Sequence, residues 1–261
     1  MKIAVCIKQV VTREWQLRVN DAKTWIRDQD ASFELNEPDA YALEEALRLK
    51  EKHGGEVVVC SAGPARAAQV IREAMARGAD RAIHIESDAL AAADAFAVAD
   101  AIAAAIRDEQ FDLVLTGLQS DDQGFGQVGV VLAQKLGMPH ATIIMEVQVS
   151  PSSGSEPGSL RVKRELEGGW FQWMTLPLPA LLTIQSGINQ LRYATLKGIM
   201  AAKKKEIRKV TPSSAPVDAP ALRILGVHFP EKGKKTQMIA GSSAEAAKEL
   251  IKRLREDARV I

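Results

Sequence analysis

Cysteine and histidine are scarce in this chain of 261 residues. The two cysteines, Cys6 and Cys60, both lie within apolar, strand-like runs, which is typical of small buried residues in a reduced compartment. The four histidines are scattered along the sequence, and no Cys/His spacing typical of a metal site occurs. We therefore expect no disulfide framework and no metal.

An excess of charge and a long apolar run are also absent. The 34 basic and 33 acidic residues leave a net charge of +1, which argues against a dedicated nucleic-acid binder. No apolar run is long enough to span a membrane, and the first residues enter a strand-like run, "KIAVCIK", without the pattern of a cleavable leader. We expect a protein that is not itself in the membrane and lies in the cytoplasm.

Short β-branched runs alternate with helical patterns over the first half of the chain. Continuously apolar runs of this kind are typical of parallel strands that are covered on both faces. Between them, apolar residues recur at helical spacing. This alternation predicts a doubly wound, mostly parallel α/β fold. The runs lie at 2–8, 56–63, 81–87 and 112–117, and the helical patterns at about 38–52, after Pro64, and at about 91–107 and 125–136.

The first predicted helix carries clear end signals. Asn36 is a plausible N-cap, Pro38 lies in the first turn, and Gly54 ends the helix. Glu44 and Arg48 are four residues apart, which predicts an ion pair on the helix surface.

The pattern changes in the second half. A strand at 141–149 is followed by a polar loop at 151–159, a predicted β-hairpin at 160–176 and a buried strand at 180–186. Residues 211–220 form a Pro/Ser-rich linker. The final helix begins near Ser242, whose spacing from Glu245 predicts a capping box. Its apolar face packs either on its own domain or on another subunit; it consists of Ala247, Leu250, Ile251 and Leu254.

One loop, "TGLQSDDQGFGQVG" (116–129), follows a strand and opens a helix. Ligands of open α/β sheets bind beyond the carboxyl ends of the strands. Gly124, Gly126 and Gly129 match GxGxxG, but the long turn before them differs from a dinucleotide fingerprint. Small residues at a helix N-terminus still allow backbone N–H groups to approach a phosphate.

Polar side chains in the same loop add possible contacts. Ser120 and Gln127 can bind a nucleotide, and Asp122 either accepts from a ribose hydroxyl or caps the turn. The loop has no Walker lysine, and the chain shows no nucleophile–base set, so we expect no catalytic residues.

Four stretches, in order and over nearly the whole chain, resemble the beta subunit of electron transfer flavoproteins. They are "KIAVCIKQV", "NEPDAYALEEALRLKEK", "AGPARAAQVIREAMARGADRAIHI" and, most specifically, "RYATLKGIMAAKKKEI". The resemblance implies an adenine-nucleotide hydrolase-like fold and a heterodimer with an alpha subunit. It also implies that FAD is held mainly by the alpha subunit, and that a pocket in the beta subunit holds AMP in most members.

The resemblance places the pocket on Cys6, Asn36, Ala62, Ser120, Gln123, Gly126, Gln127 and Val128, with Asp122 in the same loop. Gln123, Gly126 and Val128 replace an acidic residue, an asparagine and a threonine of AMP-binding members, whereas Gln127 is retained. The small residues and "QVG" also resemble the electron-bifurcating branch, in which a second FAD replaces AMP. That branch's "GDTAQVGP" is not present, and both ligands stay open.

The stretch 192–206 resembles the family's partner-recognition loop, and a short helical run is expected after Gly198. The resemblance implies that Leu196 inserts into an apolar pocket of a partner dehydrogenase, flanked by Tyr193, Ala194, Thr195 and Ile199. Lys203, Lys204 and Lys205 either steer that approach or form a solvated helix end. The resemblance also places Arg13 beside the flavin of the alpha subunit, with Trp15 close by. The Trp15 ring either packs over that flavin or lies in the core or an interface.

The resemblance thus implies an electron carrier rather than a bond-making enzyme. It accepts electrons from acyl-CoA or related dehydrogenases, as in fatty acid oxidation, and passes them to a membrane flavoprotein-quinone oxidoreductase. A eukaryotic member would lie in the mitochondrial matrix. The expected organisation is a nucleotide-binding domain at 1–191, the loop at 192–206, and an arm and helix at 207–261 that pack on the partner subunit.

Two alternatives remain open at this point. One is an electron-bifurcating subunit that holds a second FAD. The other is a stand-alone adenine-nucleotide-binding module, which would need neither "RYATLKGIM" nor a tethered helix.

Overall fold

The computed structural model describes residues 1–150, 158–212, 221–230, 233 and 236–261. Most of the predicted polar loop and of the Pro/Ser-rich linker lies outside the described residues. The strands are β1 Lys2–Cys6, β2 Gln9–Val11, β3 Phe33–Leu35, β4 Glu56–Gly63, β5 Arg81–Glu86, β6 Leu113–Gly117, β7 His140–Ser150, β8 Ser159–Glu165, β9 Phe171–Pro177, β10 Ala180–Ile184 and β11 Ile207–Val210. The helices are α1 Glu37–His53, α2 Ala68–Arg77, α3 Ala95–Ile106, α4 Val128–Leu136, α5 Leu196–Ala202 and α6 Ser243–Glu256.

Nine of these strands form one sheet in the order β11-β5-β4-β1-β6-β10-β7-β8-β9. The strands from β11 to β7 are parallel, and β8 and β9 extend the sheet as antiparallel neighbours. Helices α1 and α2 pack on one face, and α3 and α4 on the other. This confirms the predicted doubly wound α/β fold. Strands β2 and β3 form a separate two-stranded ribbon.

Helix α1 differs from its prediction in two side chains. Asn36 holds the N-cap position, but its side chain makes no capping hydrogen bond. Instead its Nδ2 donates to the carbonyl of Gln119 at 3.0 Å, and its Oδ1 accepts from the N–H of Asp121 at 2.9 Å. Glu44 is buried and accepts from the Arg192 guanidinium at 2.7 Å rather than forming the predicted surface pair with Arg48. Long-range partners therefore replaced both local interactions.

The predicted hairpin is confirmed as β8 and β9. Its aromatic side chains Trp170, Phe171 and Trp173 are exposed. The Arg161 guanidinium lies 4.4 Å from the centre of the Trp173 ring, and the Lys163 ammonium lies 4.1 Å from that of Phe171. Such cation–π contacts cover part of each ring and leave the rest available to a partner.

The C-terminal arm begins within the sheet, because β11 pairs with β5. The N–H of Leu222 then donates to the Asp94 carboxylate at 3.0 Å, and the N–H of Val227 to the Lys23 carbonyl at 2.7 Å. The predicted capping box of Ser242 is present at the start of α6, and none of the residues of α6 is buried. The apolar face of this helix is thus left uncovered by the described part of the chain.

Candidate functional site: a nucleotide cleft and an exposed docking helix

A cleft opens at the carboxyl ends of β1, β4 and β6, beside the first turns of α3 and α4. Eight of the nine residues expected to bind a nucleotide line it. They are Cys6, Asn36, Ala62, Ser120, Gln123, Gly126, Gln127 and Val128. The ninth, Asp122, lies beside the cleft and binds the Lys8 ammonium through its carboxylate at 2.7 Å. The chain fold therefore brings together residues that are far apart in the sequence.

The cleft has two chemically different walls. One is apolar and comes from the start of α3 and the turn before it: Leu90, Ala91, Ala93, Ala95, Val98 and Ile102. The other is polar and includes Lys8, Asn36, Asp39, Ser120 and Gln123. Sequence reasoning missed the apolar wall, because alanines at helical spacing are also typical of an ordinary core. This arrangement suits a ligand with a flat ring, which would lie against the apolar wall, and with polar groups, which would face the polar wall.

Lys8 carries the cationic side chain of the polar wall. Its ammonium donates to Asp122 at 2.7 Å, to the Gln123 amide oxygen at 3.1 Å and to the Ser120 hydroxyl at 3.4 Å. The carboxylate of Asp122 also accepts from the N–H of Gln123 at 2.7 Å. These contacts fix the loop against the end of β1, next to the cleft.

Asp39 joins three elements beneath this loop. Its two carboxylate oxygens accept from the N–H groups of Lys8 at 2.8 Å and of Gly117 at 2.9 Å. Burial raises the pKa of Asp39 to about 7, although the N–H of Lys8 and other donors act in the opposite direction. A Cβ at Gly117 would lie 2.5 Å from the same carboxylate, so glycine is required for this close approach.

We expect the raised pKa of Asp39 to make stability depend on pH. The folded chain holds this proton more tightly than the unfolded chain, because the pKa rises from 3.8 to about 7. The resulting stabilisation is complete below about pH 4 and is lost as the pH rises through about 7. Asp39→Asn removes this titration. Between pH 4 and pH 7, the melting temperature of the assembled wild-type protein should therefore fall more steeply than that of the variant. Parallel curves would contradict the assignment.

Glycines shape the entry to α4. Gly124 and Gly126 have φ values of +65° and +62°, a region that other residues rarely adopt. A Cβ at Gly129 would lie 2.7 Å from side-chain atoms of both Thr116 and Thr183, so the first turn of α4 packs directly on the sheet. The side chain of the N-cap residue, Gln127, makes no capping hydrogen bond to α4. This helix start, which bounds the cleft, is therefore suited to an anion.

The two cysteines are neighbours in the sheet. Cys6 and Cys60 are paired residues of β1 and β4, and both are buried free thiols. A side-chain hydrogen bond between the Cys6 thiol and Cys60, together with burial, raises the pKa of Cys6. Cys6 thus contributes a neutral, unreactive surface to the floor of the cleft.

Most side chains of the segment 193–199 are exposed to solvent. Tyr193 and Leu196 are 92% and 77% exposed, and Ile199 is 44% exposed. Ala194 packs against the core, and the Thr195 hydroxyl accepts from the N–H of Gly198 at 3.0 Å. This cap starts α5 at Leu196 itself, three residues before the predicted start after Gly198, because a threonine cap satisfies the first turn.

Arg192 fixes the beginning of this segment to α1. Its guanidinium binds Glu44 at 2.7 and 3.0 Å and Glu51 at 2.6 and 3.2 Å, a two-carboxylate clamp. Bidentate pairs of this kind fix direction as well as distance.

The three lysines after α5 are not equivalent. Lys203 and Lys204 are exposed, whereas Lys205 is partly buried. The Lys205 ammonium donates to the carbonyls of Met75 at 3.1 Å and Ala79 at 2.5 Å, at the end of α2. The steering role considered for all three lysines therefore fits Lys203 and Lys204, and Lys205 has a structural role.

Arg13 and Trp15 lie away from the base of the cleft. The Arg13 guanidinium binds Glu37 and Asp121, and the Asp121 carboxylate raises its pKa. Trp15 lines a different groove together with Arg18 and Arg27. Arg13 is thus linked to the nucleotide loop, while its expected place beside a flavin stays a prediction.

Within the described ranges, no helix is long and apolar enough to cross a membrane. The described His, Cys, Asp and Glu residues form no group that could hold a metal ion.

Comparison with known proteins decides the family. A family model described as "Electron transfer flavoprotein domain" matches residues 24–215. The chain belongs to the electron transfer flavoprotein family. It is 36% identical to the electron transfer flavoprotein subunit beta of Methylophilus methylotrophus, over 98% of each chain. It is 34% identical to those of Bacillus subtilis, over all of both chains, and Homo sapiens, over 100% of this chain and 99% of the other.

This chain is accordingly a beta subunit of an electron transfer flavoprotein, with a role in electron transfer. Most of the cleft and all of the 193–199 segment lie within the matched residues. The exposed helix α6 lies beyond them but within the region shared with full-length relatives.

Proposed function

We propose that this beta subunit forms a heterodimer with an electron transfer flavoprotein alpha subunit and shares an FAD with it. The heterodimer carries electrons from acyl-CoA or related dehydrogenases to a membrane flavoprotein-quinone oxidoreductase. The observation that carries this proposal is Leu196, a large apolar side chain that is 77% exposed on a helix fixed to the domain. An exposed anchor of this kind suits a partner pocket and a short-lived complex.

The cleft is proposed to hold AMP. The apolar wall around Val98 suits the base, and the start of α4 together with Lys8 suits the phosphate. The contacts of Asn36 and Asp39 place the loop but transfer no group. The residues present therefore fit a structural nucleotide, while the shared FAD supplies the redox chemistry.

A second FAD in the same cleft is the alternative, as in an electron-bifurcating subunit. Gly126 favours it, because glycine leaves room at the cleft where AMP-binding members carry an asparagine. The two ligands are distinguished by extraction, as described in the Discussion.

We expect the chain to depend on its alpha subunit for stable folding. The exposed aromatic rings of Trp170 and Trp173 and the uncovered apolar face of α6 would otherwise meet water. Expressed alone, the chain should be poorly soluble or loosely folded; expressed with the alpha subunit, it should elute as a 1:1 complex with one cooperative melt. A monodisperse, cooperatively melting monomer would support the stand-alone module instead.

A further inference from the structure

We propose that Arg72 and Lys205 are positioning residues that hold the docking helix α5 in its productive orientation on α2. This inference rests on the proposed docking function of Leu196. It assigns a role to two cations that lie behind the docking surface and that no partner needs to touch.

The carboxyl end of each helix accepts hydrogen bonds from a cationic side chain that belongs to the other segment. The Arg72 guanidinium, from α2, donates to the Ala202 carbonyl at the end of α5 and to the Lys205 carbonyl at 2.9 Å. The Lys205 ammonium, which follows α5, donates in return to the carbonyls of Met75 and Ala79 at the end of α2. Carbonyls at a helix end lack partners within the helix and favour a positive charge, so both ends are stabilised at once.

A third contact brings the two backbones together. A Cβ at Gly198 would lie 2.2 Å from the Ala76 carbonyl, so only glycine allows α5 to lie this close to α2. Ala202 is buried at the same interface. Burial lowers the pKa of Lys205, which agrees with an ammonium that is withdrawn from water.

These contacts act at opposite ends of a helix of seven residues. Gly198 holds its first turn, and the cations of Arg72 and Lys205 hold its last turn, which restricts sliding and rotation of α5 on α2. Leu196, Ile199 and Met200 are consequently directed to solvent as one patch. A fixed patch costs less conformational entropy when it binds than a mobile one.

Loss of the cation of Arg72 or of Lys205 should therefore weaken docking and leave the later electron-transfer step unchanged. We expect Arg72→Met and Lys205→Met to raise the KM for the flavoprotein about 5- to 20-fold, because α5 must be ordered on binding. The kcat should stay within about twofold, since the docked complex is unchanged. Arg72→Lys, which can still reach one carbonyl, should recover most of the loss.

The experiment uses the heterodimer, assembled by co-expression, and steady-state reduction by an acyl-CoA dehydrogenase, with a Leu196→Ala heterodimer measured alongside. Arg77→Met is the matched control. Arg77 is also an arginine of α2, but its guanidinium binds Glu73 of the same helix at 2.5 Å. This variant should keep the wild-type KM. Hydrogen exchange of the amides of 196–202 should be faster in Arg72→Met and unchanged in Arg77→Met.

The outcomes separate this inference from the proposed function. If Leu196→Ala leaves the KM unchanged, the docking function itself is wrong. If Leu196→Ala raises the KM but Arg72→Met and Lys205→Met do not, docking holds and the positioning role is wrong. If the Arg72→Met chain fails to assemble with the alpha subunit, two other variants test the same contact between α2 and α5. Lys205→Met removes the other cation, and Arg72→Lys keeps the positive charge at position 72.

Discussion

Replacing Leu196 by alanine is expected to lower kcat/KM for electron transfer from the dehydrogenase about 10- to 100-fold. A leucine side chain that enters an apolar pocket contributes roughly 1.5–3 kcal/mol, and each 1.4 kcal/mol is about tenfold in affinity. The loss should come from docking, because Leu196 is 77% exposed and touches no cofactor site in the described structure. Steady-state transfer from a cognate dehydrogenase measures the effect.

The same variant should be nearly as stable as wild type, since exposed positions away from special features cost at most about 0.5 kcal/mol. Assembly, flavin content and chemical reduction of the flavin by dithionite should be unchanged. Lys197→Ala, at the next exposed position of the same helix, is the control and should transfer electrons at close to the wild-type rate. A Leu196→Ala protein that melts several degrees lower yet transfers normally would show that Leu196 is a packing residue.

Replacing Gly126 by leucine is expected to empty the nucleotide cleft. The leucine side chain would occupy the space through which backbone N–H groups reach a phosphate, and Gly126 lines the cleft. We expect the nucleotide content of the purified heterodimer to fall from about one per complex to near zero, because the phosphate loses its contacts with the backbone at the start of α4. Extraction and chromatography of the bound nucleotide measure the loss.

Gly124→Leu controls for backbone strain. Gly124 has nearly the same φ, +65° against +62°, but it is not one of the residues that line the cleft. A Cβ at Gly124 meets only the Ser120 carbonyl, at 4.0 Å. Both variants carry the cost of a left-handed leucine, and only Gly126→Leu should lose the nucleotide. Equal loss in the two would assign the effect to loop strain instead of to the cleft.

The periodic parts of the fold were predictable from sequence because local pattern and tertiary structure agree there. Apolar runs such as 112–117 became strands of the parallel sheet, and Gly54 and Ser242 lie at helix ends as predicted. The insertion of β10 between β6 and β7 was not predictable, since strand order depends on contacts between segments that are distant in sequence.

The candidate site was predictable only in part. The residues of the loop before α4 carry a local signal, the glycines at a helix start. Lys8 and Asp39 carry no such local signal, because Lys8 only follows β1 and Asp39 only lies in the first turn of α1. They become part of the site through the contact between β1, α1 and β6. The structural roles of Arg192 and Lys205 were not predicted for the same reason: their partners, Glu44 and the end of α2, are more than a hundred residues away.

The most direct test of the central claim is the cofactor content of the heterodimer. The chain is co-expressed with its alpha subunit, the complex is purified, and FAD and AMP are released by denaturation and quantified against protein. A heterodimeric carrier with a structural nucleotide predicts one FAD and one AMP per complex. One FAD without AMP would contradict the proposed content of the cleft, two FAD would establish the bifurcating alternative, and a chain that binds a nucleotide but no alpha subunit would contradict the account as a whole.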